Sequence, residues 1–202
     1  MPNEWLRKRK KDHFHRLAKA RGFRSRASFK LIQVVKKYGF VVRGDKVLDL
    51  GAAPGGWLQA AHQVAGGVGF VLGLDKESIR PLELRNVSTL IGDVTTDKIL
   101  VDITATGLVP FDVVLSDLAP NVSGVWEVDN ARQIELARCA LKVARSVLKP
   151  SGNMLVKVFQ GSDLQDFKSE LKSAVETLRI VKPAASRSES AELYLLGLGF
   201  LG

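Results

Sequence analysis

The chain has 202 residues, 46% hydrophobic and 25% charged, which suffices for one large domain, or a domain with a short extension, to bury its own core. Its one cysteine, Cys139, excludes an internal disulfide framework, and with only His13, His15 and His62 to join that thiol no metal site is expected. No apolar run is long enough to span a membrane and the polar, basic stretch Met1–Lys11 is no secretory signal, so the expectation is a soluble, monomeric, cytoplasmic protein.

The net charge is +9, and its placement is uneven. Residues 1–30 hold 11 basic and two acidic side chains, whereas the rest of the chain carries 19 of each sign. Clustered positive charge is the footprint of a polyphosphate partner, and the interleaved Trp5, Phe14, Phe23 and Phe29 can stack on bases or pack on the body. A solvated basic face, a disordered tail or an organelle transit peptide are the plainer readings. Against them, Phe14, Leu17 and Ala18 are followed by apolar residues whose spacing over Ser28–Tyr38 predicts a helix that docks on the body. Residues 1–40 are therefore read as an RNA-facing basic arm and helix, and 41–202 as the main domain.

Beyond Gly44-Asp45, Lys46–Leu50 reads as a short apolar strand ending in the turn Gly51-Ala-Ala-Pro-Gly-Gly56, with a helix over about Trp57–Ala65. Val68–Leu74 is a second strand ending at Asp75, Val87–Ile91 a third ending at Gly92-Asp93, and Phe111–Ser116 a fourth ending at Asp117. A long helix, roughly Asn130–Leu148, is closed by Lys149-Pro-Ser-Gly152. Asn153–Phe159 is a fifth strand, Leu164–Thr177 a helix, and strands near Arg179–Lys182 and Glu192–Gly199 finish the chain. Strands alternating with helices predict a doubly wound α/β sheet, mainly parallel. The last two strands have no helix between them, so one of them should run antiparallel.

In such a sheet ligands bind beyond the carboxyl ends of the strands. The turn Gly51–Gly56 is neither the dinucleotide fingerprint nor a P-loop, but Gly55 and Gly56 let backbone approach a ligand at a helix start. Asp75 stands where a carboxylate can accept from two ribose hydroxyls, and Asp93 where adenine would lie. Each alone is also an ordinary turn or helix cap. Together they suit a cofactor with adenosine and no pyrophosphate, and S-adenosylmethionine is the obvious one.

Four further residues carry chemistry: Lys30 in Ser25-Arg-Ala-Ser-Phe-Lys30, Asp117 in Ser116-Asp-Leu-Ala-Pro-Asn121, Lys157 in Leu155-Val-Lys-Val-Phe159 and Glu192 in Ser186-Arg-Ser-Glu-Ser-Ala-Glu-Leu-Tyr194. A lysine within an apolar strand is costly to bury unpaired, and Asp117, ending the neighbouring strand, is its natural partner. A purely structural ion pair is the alternative.

With Gly22-Phe-Arg-Ser-Arg-Ala-Ser-Phe-Lys-Leu31, Asp49-Leu-Gly-Ala-Ala-Pro-Gly-Gly-Trp57 and Gly92-Asp93, these stretches resemble, in order and over about residues 13–200, the FtsJ/RrmJ (RlmE) family of ribosomal RNA 2′-O-methyltransferases. The resemblance implies a Rossmann-like methyltransferase fold with a seven-stranded sheet, S-adenosylmethionine as donor, no metal, and a catalytic tetrad of Lys30, Asp117, Lys157 and Glu192. It places cofactor contacts at Gly55, Trp57, Asp75, Asp93 and Asp117. Glu189 also lies nearby, but the Glu-Leu-Tyr context selects Glu192.

On this reading Lys157 takes the proton of a ribose 2′-hydroxyl as it attacks the methyl group, and alignment supplies much of the rate. Arg21, Arg24 and Arg26 are placed to grip RNA phosphates. The resemblance points to a uridine of large-subunit ribosomal RNA, in the peptidyl-transferase region, as rRNA or assembled subunit. The alternatives are a tRNA 2′-O-methyltransferase and a catalytically silent ribosome-assembly factor. A small-molecule methyltransferase is disfavoured by the basic arm, and a nicotinamide oxidoreductase by the missing fingerprint. Trp126 falls on a rim loop, as a base-stacking candidate or a packed lid.

Overall fold

The computed structural model describes residues 13–187 and 189–202. The basic cluster Arg7–Lys11 and Trp5 lie outside the described residues. In chain order the elements are α1 (His13–Ala20), α2 (Ala27–Tyr38), β1 (Lys46–Leu50), α3 (Gly56–Ala65), β2 (Phe70–Asp75), β3 (Val87–Ile91) and α4 (Lys98–Ala105). β4 (Phe111–Ser116), α5 (Trp126–Val147), β5 (Leu148–Phe159), α6 (Leu164–Lys172), β6 (Val175–Val181) and β7 (Glu192–Phe200) follow.

The seven strands form one sheet in the order β3-β2-β1-β4-β5-β7-β6. Only β7 runs against the rest, pairing antiparallel with both β5 and β6. The chain winds outward from β1 to β2 and β3, then crosses back to β4 on β1's other side, so the switch point lies between β1 and β4.

The strands are buried on both faces. Leu48, Leu72, Val114 and Val156 face the helices α4, α5 and α6, which contribute Ile103, Ile134 and Phe167. Val47, Val71, Val113 and Leu155 face α2 and α3, which contribute Phe29, Leu31 and Leu58. Alternating neighbours on opposite faces is the period-two pleat at work. The described part of the arm is thus part of the fold: α2 packs directly on α3. That approach depends on Gly56, where a Cβ would sit 2.1 Å from Ser25 Oγ and 2.9 Å from Ser28 Oγ.

Several segments differ from the sequence-based expectation. α4 has no counterpart in the sequence reading; it is one short helix with only Ile99 and Ile103 buried. α5 starts four residues earlier than Asn130, at Trp126. β5 starts at Leu148: Phe111 pairs with Leu148 and Val113 with Asn153, so Lys149–Gly152 forms a bulged excursion within the strand, not a turn before it. α6 stops at Lys172 because β6 begins at Val175, where β-branched Val175 and Thr177 pair with Phe200 and Leu198 of β7.

One buried group stands out. Asp49, in β1, is fully buried, and neither carboxylate oxygen has a hydrogen-bond partner among the described residues. Burial pushes its carboxyl well above the ordinary range, and the charges of Asp117 and Asp75 push it further. The folded protein therefore keeps a proton that the unfolded chain loses above about pH 4. Stability then falls as pH rises from there, by up to ~1.4 kcal/mol per pH unit while the proton is held. Asp49→Asn, neutral and of the same shape, removes this dependence. Ligand-free Asp49→Asn is expected to melt above the wild type at pH 8, with a smaller gap at pH 5. Parallel melting curves for the two proteins across that range would show the group to be charged in the fold.

Candidate active site

At the switch point a cavity of about 870 Å³ opens at the carboxyl ends of the strands, lined by Gly51, Ala53, Asp75, Gly92 and Asp117 among others. The turn after β1 curls over β2: the amides of Gly51 and Ala52 donate to Leu74 O at 2.8 and 3.1 Å. Gly51 has φ +81°, and a Cβ there would lie 3.0 Å from the Leu118 amide nitrogen. Glycine is required on both counts.

Asp75 is held by two backbone amides, Ala53 N–H on Oδ2 and Glu77 N–H on Oδ1, each at 2.9 Å. A carboxylate accepts about four hydrogen bonds, so roughly two sites remain for a ligand's hydroxyls. Asp93 stands at the cavity's edge, between lining residues Gly92 and Val94. It accepts from Thr95 N at 2.9 Å and Thr95 Oγ1 at 2.7 Å and pairs with Lys76 at 3.0 Å. The Thr95 bonds first, and Lys76 after them, hold its carboxyl below the ordinary range.

Gly55 and Trp57 do not line this cavity. Gly55 takes φ +106° before α3, where a Cβ would meet Arg24 Nη1 at 3.1 Å. Trp57 is buried, donating its indole N–H to Ala27 O at 2.8 Å. Both shape and back the turn.

The four residues proposed as a tetrad converge on the same rim. Lys157, 6% exposed in β5, donates to Asp117 O at 2.7 Å and lies 3.2 Å from Asp117 Oδ1. Lys30, on α2, forms an ion pair with Glu192 at the start of β7. Glu189 is exposed, so Glu192 is the partner the fold supplies. Between the two pairs stands Tyr194, whose hydroxyl lies 2.9 Å from Asp117 Oδ1, 3.2 Å from Glu192 Oε1 and 3.4 Å from Lys30 Nζ. Burial pushes its phenol well above the ordinary range, as do the flanking Asp117 and Glu192, so it remains a neutral donor. Tyr194 was missed in the sequence, although two residues after Glu192 on one strand is the spacing that shares a face. Its register partner across β5 is Lys157 itself.

The three arginines expected on RNA are distributed differently. Arg24 donates to the backbone carbonyls of Pro54 at 3.1 Å, Pro81 at 2.7 Å and Arg80. Its own amide donates to Gln59 Oε1 at 2.8 Å. It therefore ties the arm to the glycine-rich turn and to the segment after β2. Arg26 donates to Ala185 O and stacks over Phe14. Arg21 is exposed, its guanidinium 5.9 Å from the Phe29 ring centroid. Arg16 and Lys19 of α1 are exposed beside it in sequence.

The model of the FtsJ-like methyltransferase family matches residues 23–200. The chain is 48% identical over 187 residues to the ribosomal RNA large subunit methyltransferase E of Methanothrix thermoacetophila, covering 93% of this chain and 72% of that protein. It is 43% identical over 203 residues to the protein of the same name from Methanocaldococcus jannaschii, covering 98% and 82%. Among solved structures, a putative ribosomal RNA methyltransferase from Plasmodium falciparum superposes with TM-score 0.78 at 28% identity, over 89% of this chain and all of that one. The fibrillarin pre-rRNA processing protein of Methanococcus jannaschii shares the fold, with TM-score 0.61 at 18% identity over 85% of this chain and 74% of that one. With its fold, its motifs and these likenesses in agreement, the chain belongs to the FtsJ-like methyltransferase family.

Proposed function

We propose that this protein transfers a methyl group from S-adenosylmethionine to a ribose 2′-hydroxyl in RNA, with a uridine of large-subunit ribosomal RNA as the target. The observation that carries the reading is the double position of Asp117. It lines the cavity that would hold the donor and, through its carbonyl and carboxylate, holds the buried Lys157 amine. The relatives named for large-subunit ribosomal RNA support the substrate.

The cavity fits the donor by the chemistry of its walls. Asp75 keeps acceptor sites for ribose hydroxyls, Gly92 and Val94 present a surface for adenine, and Gly51 leaves room where a side chain would intrude. Bound there, S-adenosylmethionine supplies a sulfonium-activated methyl carbon. Lys157 Nζ would take the proton of the ribose 2′-hydroxyl that receives the methyl group. Asp117 orients that amine. Glu192 holds Lys30 at the rim, and Tyr194 ties both pairs together. Alignment of oxygen, carbon and sulfur supplies much of the rate. Exposed Arg16, Lys19 and Arg21 supply phosphate contacts, which makes RNA affinity fall steeply with added salt.

Two substitutions test this reading. Lys157→Ala is expected to bind S-adenosylmethionine as the wild type does and to lose methyl transfer by about 10²–10⁴-fold, the range of a general base. Labelled donor, offered with large ribosomal subunits, free ribosomal RNA and tRNA and mapped to a nucleotide, reads the outcome. Full activity in Lys157→Ala rules out its role as base, and label confined to tRNA moves the substrate. Arg24→Ala, which frees the turn at Pro54, is expected to weaken donor binding about tenfold, with RNA affinity and its salt slope unchanged. Calorimetry without RNA measures the first and binding titrations over a salt series the second. The reverse pattern would put Arg24 on a phosphate.

A further inference from the structure

We propose that Trp126 and Phe159 form the stacking platform for a nucleobase of the substrate, beside the catalytic lysine. Trp126 opens α5 and lies against Phe159, with ring centroids 5.8 Å apart and planes 23° apart. Although stacked, Trp126 remains 45% exposed. Around it Val122, Val125 and Val128 are exposed as well, so an apolar surface faces solvent at the mouth of a polar site.

The location identifies the occupant. Phe159 is two residues beyond Lys157 on β5, so the pleat turns both side chains to the same face, about 7 Å apart along the strand. Its register partner is Glu192, as Tyr194 is that of Lys157. The aromatic pair therefore continues the row of side chains that would receive the ribose. A group covalently joined to that ribose and flat enough to stack is its own base, or that of an adjacent nucleotide. The positive charge of the arm independently favours a polyanionic chain over an apolar protein segment.

The platform is also held in place before any ligand arrives. Asp129 accepts from Ser123 N and Ser123 Oγ, both at 2.8 Å, and from Gly124 N at 3.2 Å. Those bonds tie the segment between β4 and α5 back to the first turn of the helix that Trp126 opens. A preorganised aromatic costs little conformational entropy on binding and stacks on any base.

The inference rests on the RNA reading above, and its test separates the two. Trp126→Leu keeps an apolar side chain against Phe159 and removes the ring face, whereas Trp126→Phe keeps a ring. Binding of a labelled oligouridylate is compared with that of an abasic ribose-phosphate oligomer of equal length, with donor affinity as the control for folding. Trp126→Leu should bind oligouridylate about tenfold more weakly, equivalent to ~1.4 kcal/mol. Trp126→Phe should stay within about threefold of the wild type. Affinity for the abasic oligomer, the salt slope and donor affinity should not move, because stacking releases no counterions. Equal losses on both oligomers, no loss on either, or a matching loss of donor affinity, as for a lid packed over the cofactor, would each overturn the platform. If the wild type shows this base-dependent binding yet labels no RNA, the platform stands and the methylation reading falls. If it labels ribosomal RNA and Trp126→Leu matches it in binding, the platform alone falls.

Discussion

The site is organised around the burial of one lysine amine. Lys157 is 6% exposed on an apolar strand, and an ammonium taken from water without a partner costs several kcal/mol or more. Its partner exists because β4 and β5 are parallel neighbours with Ser116 paired to Val156, so the residue that follows β4 lies beside the one that follows Val156. The Asp117 amide closes the gap on the other side, donating to Leu50 O of β1 at 3.0 Å. Gln133 of α5 donates to Lys157 O at 2.9 Å and Leu118 O at 3.2 Å, locking the helix to both strand ends. The cavity and the buried lysine amine are thus joined through a single residue at the topological switch point.

What the sequence made legible follows from which forces act locally. β1 to β4 were visible because their apolar runs end at glycine or aspartate. That one of the last two strands runs antiparallel was visible because a connection without a helix cannot make a parallel crossover; that it is β7 follows from its pairing with both β5 and β6. The misread boundaries are those that tertiary pairing decides. Lys-Pro-Ser-Gly at 149–152 has turn chemistry and does leave the ladder there, but Leu148 before it still pairs with Phe111. Ser173 and Ala174 suit a helix locally, yet pairing with Phe200 makes Val175 the first residue of an edge strand.

Charge is legible only as a total. The arm's excess of basic residues is plain in the sequence, but not which guanidiniums remain outward. Arg24 illustrates the difficulty. The carbonyls of Pro54, Arg80 and Pro81 lie in irregular segments with no ladder to satisfy them, and a fork of five donors is suited to collect several at once. No pattern in Phe23-Arg24-Ser25 records that demand, since its cause lies 30 to 57 residues away. The same arm consequently has two tasks by residue: Arg24 fixes the turn beside the donor cavity, and the exposed Arg16, Lys19 and Arg21 face outward.

Tyr194 shows why the tetrad behaves as one unit. With a proton on Lys157, its pair with Asp117 and that of Lys30 with Glu192 make two cations and two anions, formally neutral as a set; with the Lys157 amine free to accept a proton, the set carries one negative charge. Had these been independent pairs, a proton gained by Lys157 would be felt by Asp117 alone. The phenol lies within 3.2 Å of both carboxylates and has one proton to donate, so any change of charge at Asp117 alters which carboxylate it serves. The change reaches Glu192, and through it Lys30 on α2. Because burial and both carboxylates keep the phenol protonated, it conveys that shift by reorienting, without taking up or releasing a proton. A proton that Lys157 takes up is thereby balanced across the whole network, while the helix that carries Lys30 is tied electrostatically to the Lys157–Asp117 pair.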